Sequence, residues 1–218
     1  MTACAIARVA ALGFWSVCLL NSVAAAADID VPRTLKGVED RYNRTQTLQL
    51  SFTESYQQGA RTRVEKGDLF LRKPGRMRWQ YTAPAGKLFV SDGKFIYSYT
   101  PQDNRAEKMK LKETDDMRAP LAFLLGRLHF EKDFQNFQSR PESENTWITA
   151  DAKKPDLIFS KVEFEVTPQF QIRRLRVTYQ DLSVLDFRFD QEKLNPSLDA
   201  KLFQFELPSG TMVEEIVN

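Results

Sequence analysis

The sequence predicts a mainly β protein with short helices, built on one antiparallel sheet large enough to curl or close. Two observations carry this. Between Leu48 and Leu207, about ten or eleven short runs alternate apolar with polar residues, the period of a half-buried strand. Glycine, proline and Asx joints separate them at short spacing, which favours antiparallel neighbours. A sheet of that many strands twists until it curls, splits or closes. A third observation narrows the class: no repeat of fixed period and no low-complexity tract is present, which disfavours propellers and solenoids.

Each element follows from its residues. Val31 to Asn43 reads as an amphipathic helix, with Leu35, Val38 and Tyr42 on one face and Pro32 tolerated in the first turn. The period then changes to two. Leu48, Leu50, Phe52 and Tyr56 alternate with Gln49, Ser51, Thr53 and Ser55, and Gln57-Gln58-Gly59 turns the chain. Val64 to Arg72 and Arg76 to Thr82 are the next strands, broken at Lys73-Pro74-Gly75. Gly67 and Gly75 stand at positions that suit a bulge and a turn. Lys87 to Ser91 and Lys94 to Tyr99 flank Asp92-Gly93, a strong hairpin signal. Arg105 to Lys110 is a further strand candidate. Arg118 to Gly126 interrupts the pattern with an apolar helical segment, its Leu121, Leu124, Leu125 and Leu128 on one face. Strands resume over Phe130–Phe137, Thr146–Ala150, Leu157–Val166, Gln171–Tyr179, Val184–Asp190 and Leu202–Leu207. Pro208-Ser209-Gly210 closes the last of these before Met212 and Val213.

The first 27 residues read as a cleaved secretory signal: Arg8, an apolar run from Val9 to Leu20, then the small residues Ala24 to Ala27. Residues 28–218 then form a single domain, 191 residues long and able to bury a real core. Both cysteines, Cys4 and Cys18, lie in the signal, and the residues before Cys18 do not form a lipobox. The mature chain therefore has no thiol chemistry and no disulfide; export without cysteines points to a bacterial periplasm. Once Arg8 is removed, 30 basic side chains face 29 acidic ones, so there is no global field for nucleic acid. Arg72, Lys73, Arg76 and Arg78 form a small basic cluster suited to orienting a partner.

Catalytic equipment is sparse. His129 is the single histidine, no Gly-x-Ser-x-Gly elbow exists, and no metal-ligand spacing or glycine-rich phosphate loop occurs. His129 reads as structural. The pairs Asp115-Asp116 and Glu214-Glu215 read as solvated charges, since a glycosidase needs two carboxylates across a cleft and chain spacing cannot show that. The expectation is a protein that is not an enzyme and uses no cofactor or metal.

The stretch Lys66 to Tyr81 leaves two readings open. Leu69 and Leu71 share one strand face, and Met77, Trp79 and Tyr81 share a face of the next. Such stripes usually fill a closed core. A curled sheet this large can also enclose a lumen that side chains do not fill.

The order of elements resembles the LolA family of periplasmic lipoprotein carriers. The matching residues are Ser51-Phe52-Thr53 after an N-terminal helix, Gly67-Asp68-Leu69 leading to Lys73-Pro74 and Trp79, then Val90-Ser91-Asp92-Gly93-Lys94 with Tyr97 and Tyr99. Ala119-Pro120-Leu121 and the closing Phe203-Gln204-Phe205 before Pro208-Ser209-Gly210 follow, so the resemblance spans nearly all of the mature chain. It implies an incompletely closed antiparallel β-barrel with a helical lid. It also implies acylated lipoproteins as cargo, an ATP-driven inner-membrane exporter as donor, an outer-membrane acceptor lipoprotein, and a monomeric carrier. On that resemblance Leu69, Leu71, Met77, Trp79, Tyr81, Leu121, Leu124 and Leu125 are the expected acyl-cavity and lid contacts. The family's lid-holding basic residue, typically arginine, corresponds to Lys73, with Arg72 beside it. Ala119 stands where a threonine often precedes the lid proline. A lysine is a flexible point charge rather than a planar fork, so it is not an equivalent clamp. The rival readings are a periplasmic lipid or glycolipid carrier or lipid-binding sensor of the same fold, a carboxylate-dependent hydrolase, and a β-protein with a filled core.

Overall fold

The structure, a computed structural model, describes residues 29–111, 128–154 and 157–216. It opens on helix α1 (Val31–Arg44). Asp30 caps it by accepting the Arg33 N–H at 3.0 Å, and Pro32 sits in the first turn, where a missing N–H costs nothing. Leu35, Val38 and Tyr42 are its buried face, as their spacing predicts.

Strands β1 (Thr47–Gln58), β2 (Arg61–Arg72), β3 (Arg76–Ala83), β4 (Ala85–Asp92), β5 (Phe95–Thr100) and β6 (Arg105–Lys110) form an antiparallel meander. Its turns carry the expected residues: Gly59 and Gly75 have φ of +57° and +67°, and Asp92 accepts the N–H groups of Lys94 and Phe95 at 2.7 and 2.8 Å. A second meander contains β7 (Phe134–Glu142), β8 (Asn145–Ala152), β9 (Phe159–Val166), β10 (Ile172–Tyr179) and β11 (Val184–Leu194). β11 pairs with β1, so both meanders join in one sheet of twelve strands, ordered β12-β6-β5-β4-β3-β2-β1-β11-β10-β9-β8-β7. Among the described residues the end strands, β12 and β7, do not pair with one another, so this sheet curls without closing.

Three segments depart from the sequence reading. Phe130–Phe137 is not one strand. A helical turn, α2 (Phe130–Asp133), comes first and β7 begins at Phe134. The turn lets Phe130 stack on Phe164, 4.8 Å between centroids, while its N–H donates to Glu39. Leu202–Leu207 is not a strand either. A 3₁₀ turn, Ala200–Phe203, leads into irregular chain crossing the outer face of the sheet. Two carbonyls here are met by side chains instead of a ladder: Arg72 donates to that of Leu198, just before the turn, and Arg78 to that of Leu202. Phe203 is buried and Phe205 stacks on Tyr97, which explains the period of two without strand pairing. Finally, β12 (Met212–Glu215) runs parallel to β6, the single parallel pairing among the described strands. Arg105–Glu214 and Lys108–Glu215 ion pairs hold it.

The inner, concave face carries the core. Cross-strand rows on it run Leu48–Leu71, Leu50–Leu69 and Phe189–Phe52–Gly67–Tyr81. Helix α1 lies over the apolar part, with Leu35, Val38 and Tyr42 in the same buried cluster as Leu48, Leu50 and Phe52. The outer face of β7 to β11 is a charged lattice in which Asp186 accepts from both Arg174 and Arg176.

Candidate functional site

Strand alternation brings five of the expected site residues together on the concave face. Met77 pairs opposite Leu71 and Trp79 opposite Leu69, while Gly67 faces Tyr81. Leu69, Leu71, Met77 and Trp79 are buried within the contiguous core, and Tyr81 is half-buried at its margin. Trp79 meets the Phe52 ring edge-on at 4.8 Å and the Phe187 ring at 5.6 Å. Phe52 meets Tyr81 edge-on at 5.2 Å. Gly67 makes this possible. A Cβ there would stand 2.3 Å from the Gln80 carbonyl oxygen and 2.9 Å from the Phe52 ring, and the register shifts beside it. Phe89, Leu185 and Tyr179 extend the apolar surface as partly exposed side chains. Leu121, Leu124 and Leu125 lie outside the described residues.

Lys73 sits in the turn between β2 and β3, under the end of α1. Its ammonium donates to the carbonyls of Tyr42 at 2.7 Å and Asn43 at 2.9 Å. These carbonyls belong to the last turn, where C=O groups carry partial negative charge; that of Tyr42 also accepts the Thr45 N–H at 3.2 Å. Partial burial holds the ammonium below its ordinary pKa. Arg72, its neighbour, points the other way: it donates to the Leu198 carbonyl and lies 5.5 Å from the Phe203 ring. Alternation divides the pair, one for each face.

Other contacts of α1 escaped the sequence reading. The Asn43 side-chain amide donates to the Leu128 carbonyl at 2.9 Å and accepts the Leu128 N–H at 3.0 Å. The Tyr42 hydroxyl donates to Glu192 at 2.7 Å and accepts the Ile172 N–H at 3.0 Å. Burial and the Glu192 carboxylate push the Tyr42 phenol well above its usual range. His129 is largely exposed, with Nδ1 3.6 Å from Glu39.

Beyond Tyr81 the concave face turns polar. Glu54 and Glu65 stand directly opposite one another on β1 and β2. Glu65 is buried, and both Lys87 and Arg63 pair with it. The Lys87 ammonium lies 4.2 Å above the Tyr81 ring, and the Tyr81 hydroxyl donates to Glu54 at 3.3 Å. Burial, then the Glu65 charge, raises the Glu54 carboxyl above the usual range. The signal for this cluster was in the alternation, since Glu54 follows Phe52 by two and Glu65 precedes Gly67 by two. On the outer face, a cleft of about 400 Å³ is lined by Arg78, Leu88, Lys201, Leu202 and Glu206.

A buried apolar concave face, an amphipathic helix laid across it and a turn lysine bound to that helix agree with a sequence-family match. The model of the family described as outer membrane lipoprotein carrier protein LolA matches residues 43–206. The chain belongs to the LolA family. This is a family of carriers rather than enzymes. Among similar proteins, the outer-membrane lipoprotein carrier protein of Proteus mirabilis is 26% identical over 202 residues, covering 92% of this chain and 94% of that protein. The protein of the same description from Nitrosomonas europaea is 27% identical over 204 residues, covering 91% and 94%. In fold, the chain is similar to an uncharacterized conserved protein from Thermus thermophilus, with TM-score 0.51 and 12% identity over 85% of this chain and 98% of that one.

Proposed function

We propose that this LolA-family chain is a periplasmic carrier that holds the acyl chains of lipoproteins against its concave face and moves them from the inner to the outer membrane. The observation that supports it is the continuous apolar face from Leu48 and Leu71 to Phe52 and Trp79, covered by a helix that is itself tethered by side chains. In this reading Leu69, Leu71, Met77, Trp79 and Tyr81 contact the acyl chains when α1 shifts, and Lys73 sets how readily it shifts. The names of the similar carriers from Proteus mirabilis and Nitrosomonas europaea support lipoprotein cargo. An inner-membrane ATP-driven exporter would load the carrier and an outer-membrane acceptor lipoprotein would empty it.

No covalent step is involved. Binding is transfer of apolar surface out of water, worth about 0.8 kcal/mol per CH₂. Native mass spectrometry of the protein isolated from a periplasmic extract tests the cargo. Acylated polypeptides are expected on the carrier. Recovery of free lipids alone would replace lipoprotein carriage with general lipid carriage.

A further inference from the structure

We infer that the polar end of the concave face is a headgroup site for an amphiphile whose head is a cationic nitrogen donor, with Glu54 as the acceptor. This deepens the carrier reading and rests on it.

The argument starts from position. Glu54 lies on the same strand and face as Leu48, Leu50 and Phe52. Leu48 and Glu54 are six residues apart, about 20 Å along a strand. An acyl chain lying on the apolar rows would therefore bring its polar end to Glu54.

Charge accounting then selects the head. Two carboxylates, Glu54 and Glu65, and two cations, Lys87 and Arg63, meet here, with the Tyr81 hydroxyl. Both cations make their close ion pairs with Glu65 and reach Glu54 only through longer-range attraction, and Lys87 also lies on the Tyr81 ring. An anionic head would have to break those pairs, and leaving a buried carboxylate without its partner is unfavourable. Glu54 is the group with capacity left. A carboxylate offers about four acceptor positions. Among the described residues, Glu54 receives one hydrogen bond, at 3.3 Å from Tyr81, near the long limit for a hydroxyl donor. Lys87 and Arg63 also attract this half-buried carboxylate at longer range, but burial and the Glu65 charge outweigh them, so its desolvation is only partly offset. An ammonium head supplies charge and up to three donors at that point.

The test uses chain-matched ligands competing with an apolar fluorescent probe on the purified protein: hexadecylamine as its ammonium, hexadecanoate, and methyl hexadecanoate. The ammonium is expected to bind about 10-fold more tightly than the ester, the scale of one charge-assisted hydrogen bond, and the carboxylate more weakly than the ester. Glu54→Gln should bring the ammonium to the ester's affinity while leaving the ester unchanged. Glu54→Asp, which keeps the charge, should retain the preference. Equal binding of all three heads, or a preference that survives Glu54→Gln, would overturn the headgroup site and leave the carrier reading standing. A folded Glu54→Asp that loses the preference as fully as Glu54→Gln would also overturn it. Failure of every acyl compound and of the probe to bind would bring down both.

Discussion

Replacing Lys73 by methionine isolates the tether between the sheet and α1. Methionine keeps most of the side-chain volume and removes two hydrogen bonds, at 2.7 and 2.9 Å, to the carbonyls of Tyr42 and Asn43. A hydrogen bond from a charged donor contributes about 1.5–3 kcal/mol when buried, and a cation at a helix C-terminus about 0.3–1 kcal/mol. Lys73 is only partly buried, so solvent already competes and the combined loss should be about 1–2 kcal/mol. Leu35, Val38 and Tyr42 stay buried, so α1 remains docked in the main state. Its opening equilibrium shifts by a factor of about 5–30. If acyl chains enter only when α1 has moved, apparent affinity rises by the same factor, because the competent fraction rises. Amide hydrogen exchange over Leu35 to Arg44 measures opening, and displacement of an apolar probe measures affinity. Lys73→Arg should keep both near the parent values, although its planar fork will not bind the two carbonyls in the same geometry. Unchanged exchange in Lys73→Met would show that the contact does not hold the helix. Faster exchange with unchanged affinity would show that helix movement does not limit binding.

Three further outcomes follow from the same geometry. Gly67→Ala places a Cβ 2.3 Å from the Gln80 carbonyl oxygen, so urea denaturation should show a loss of about 1–3 kcal/mol or more; a loss below about 0.5 kcal/mol would mean β2 and β3 separate freely there. Trp79→Ala removes the contacts with Phe52 and Phe187 and should lose about 3–5 kcal/mol of stability, with Trp79→Phe losing less than half of that; a small loss with abolished acyl binding would make Trp79 a ligand contact rather than a structural one. Glu54 has a folded-state pKa above the ordinary 4.5, so the folded form binds its proton more tightly and stability falls as pH rises from about 4.5 through the folded value; Glu54→Gln should therefore be more stable than the parent at about pH 7 and gain nothing at about pH 4, and an equal offset at both would contradict the shift.

The strands from β1 to β5 were legible because each buries one face, and a period of two follows directly. Phe52, Leu69, Leu71 and Val90 are almost inaccessible where alternation or the glycine joints place them. The C-terminal crossing misled for the same reason. Phe203 and Phe205 alternate because they cover the outer face, yet the chain there is held by a 3₁₀ turn and by Arg72 and Arg78 donating to the carbonyls of Leu198 and Leu202, 126 and 124 residues away, which no local pattern carries. β12 is four residues long and exposed throughout, so its pairing with β6 left no periodic trace. In the candidate site, the apolar stripe was readable and its boundary was readable in principle, since Glu54 and Glu65 interrupt inward positions. What Lys73 binds was not readable, because it depends on where α1 docks.

The placement of α1 bears on how such a carrier releases its load. A sixteen-carbon chain buried in full would gain about 12 kcal/mol, a Kd in the nanomolar range before other terms are counted. Several chains at that strength would hardly be given up. Yet Leu35, Val38 and Tyr42 already cover the apolar rows on which a chain would lie. The chain therefore replaces protein surface instead of water, and the gain shrinks to the difference between the two occupants. Tyr42 sharpens this exchange. Its hydroxyl joins Glu192 to the Ile172 backbone, so moving α1 exposes or unpairs buried polar groups as well as apolar ones. On the proposed reading, a helix that competes for much of this face under polar tethers would convert an almost irreversible hydrophobic association into an exchange that a stronger acceptor can reverse.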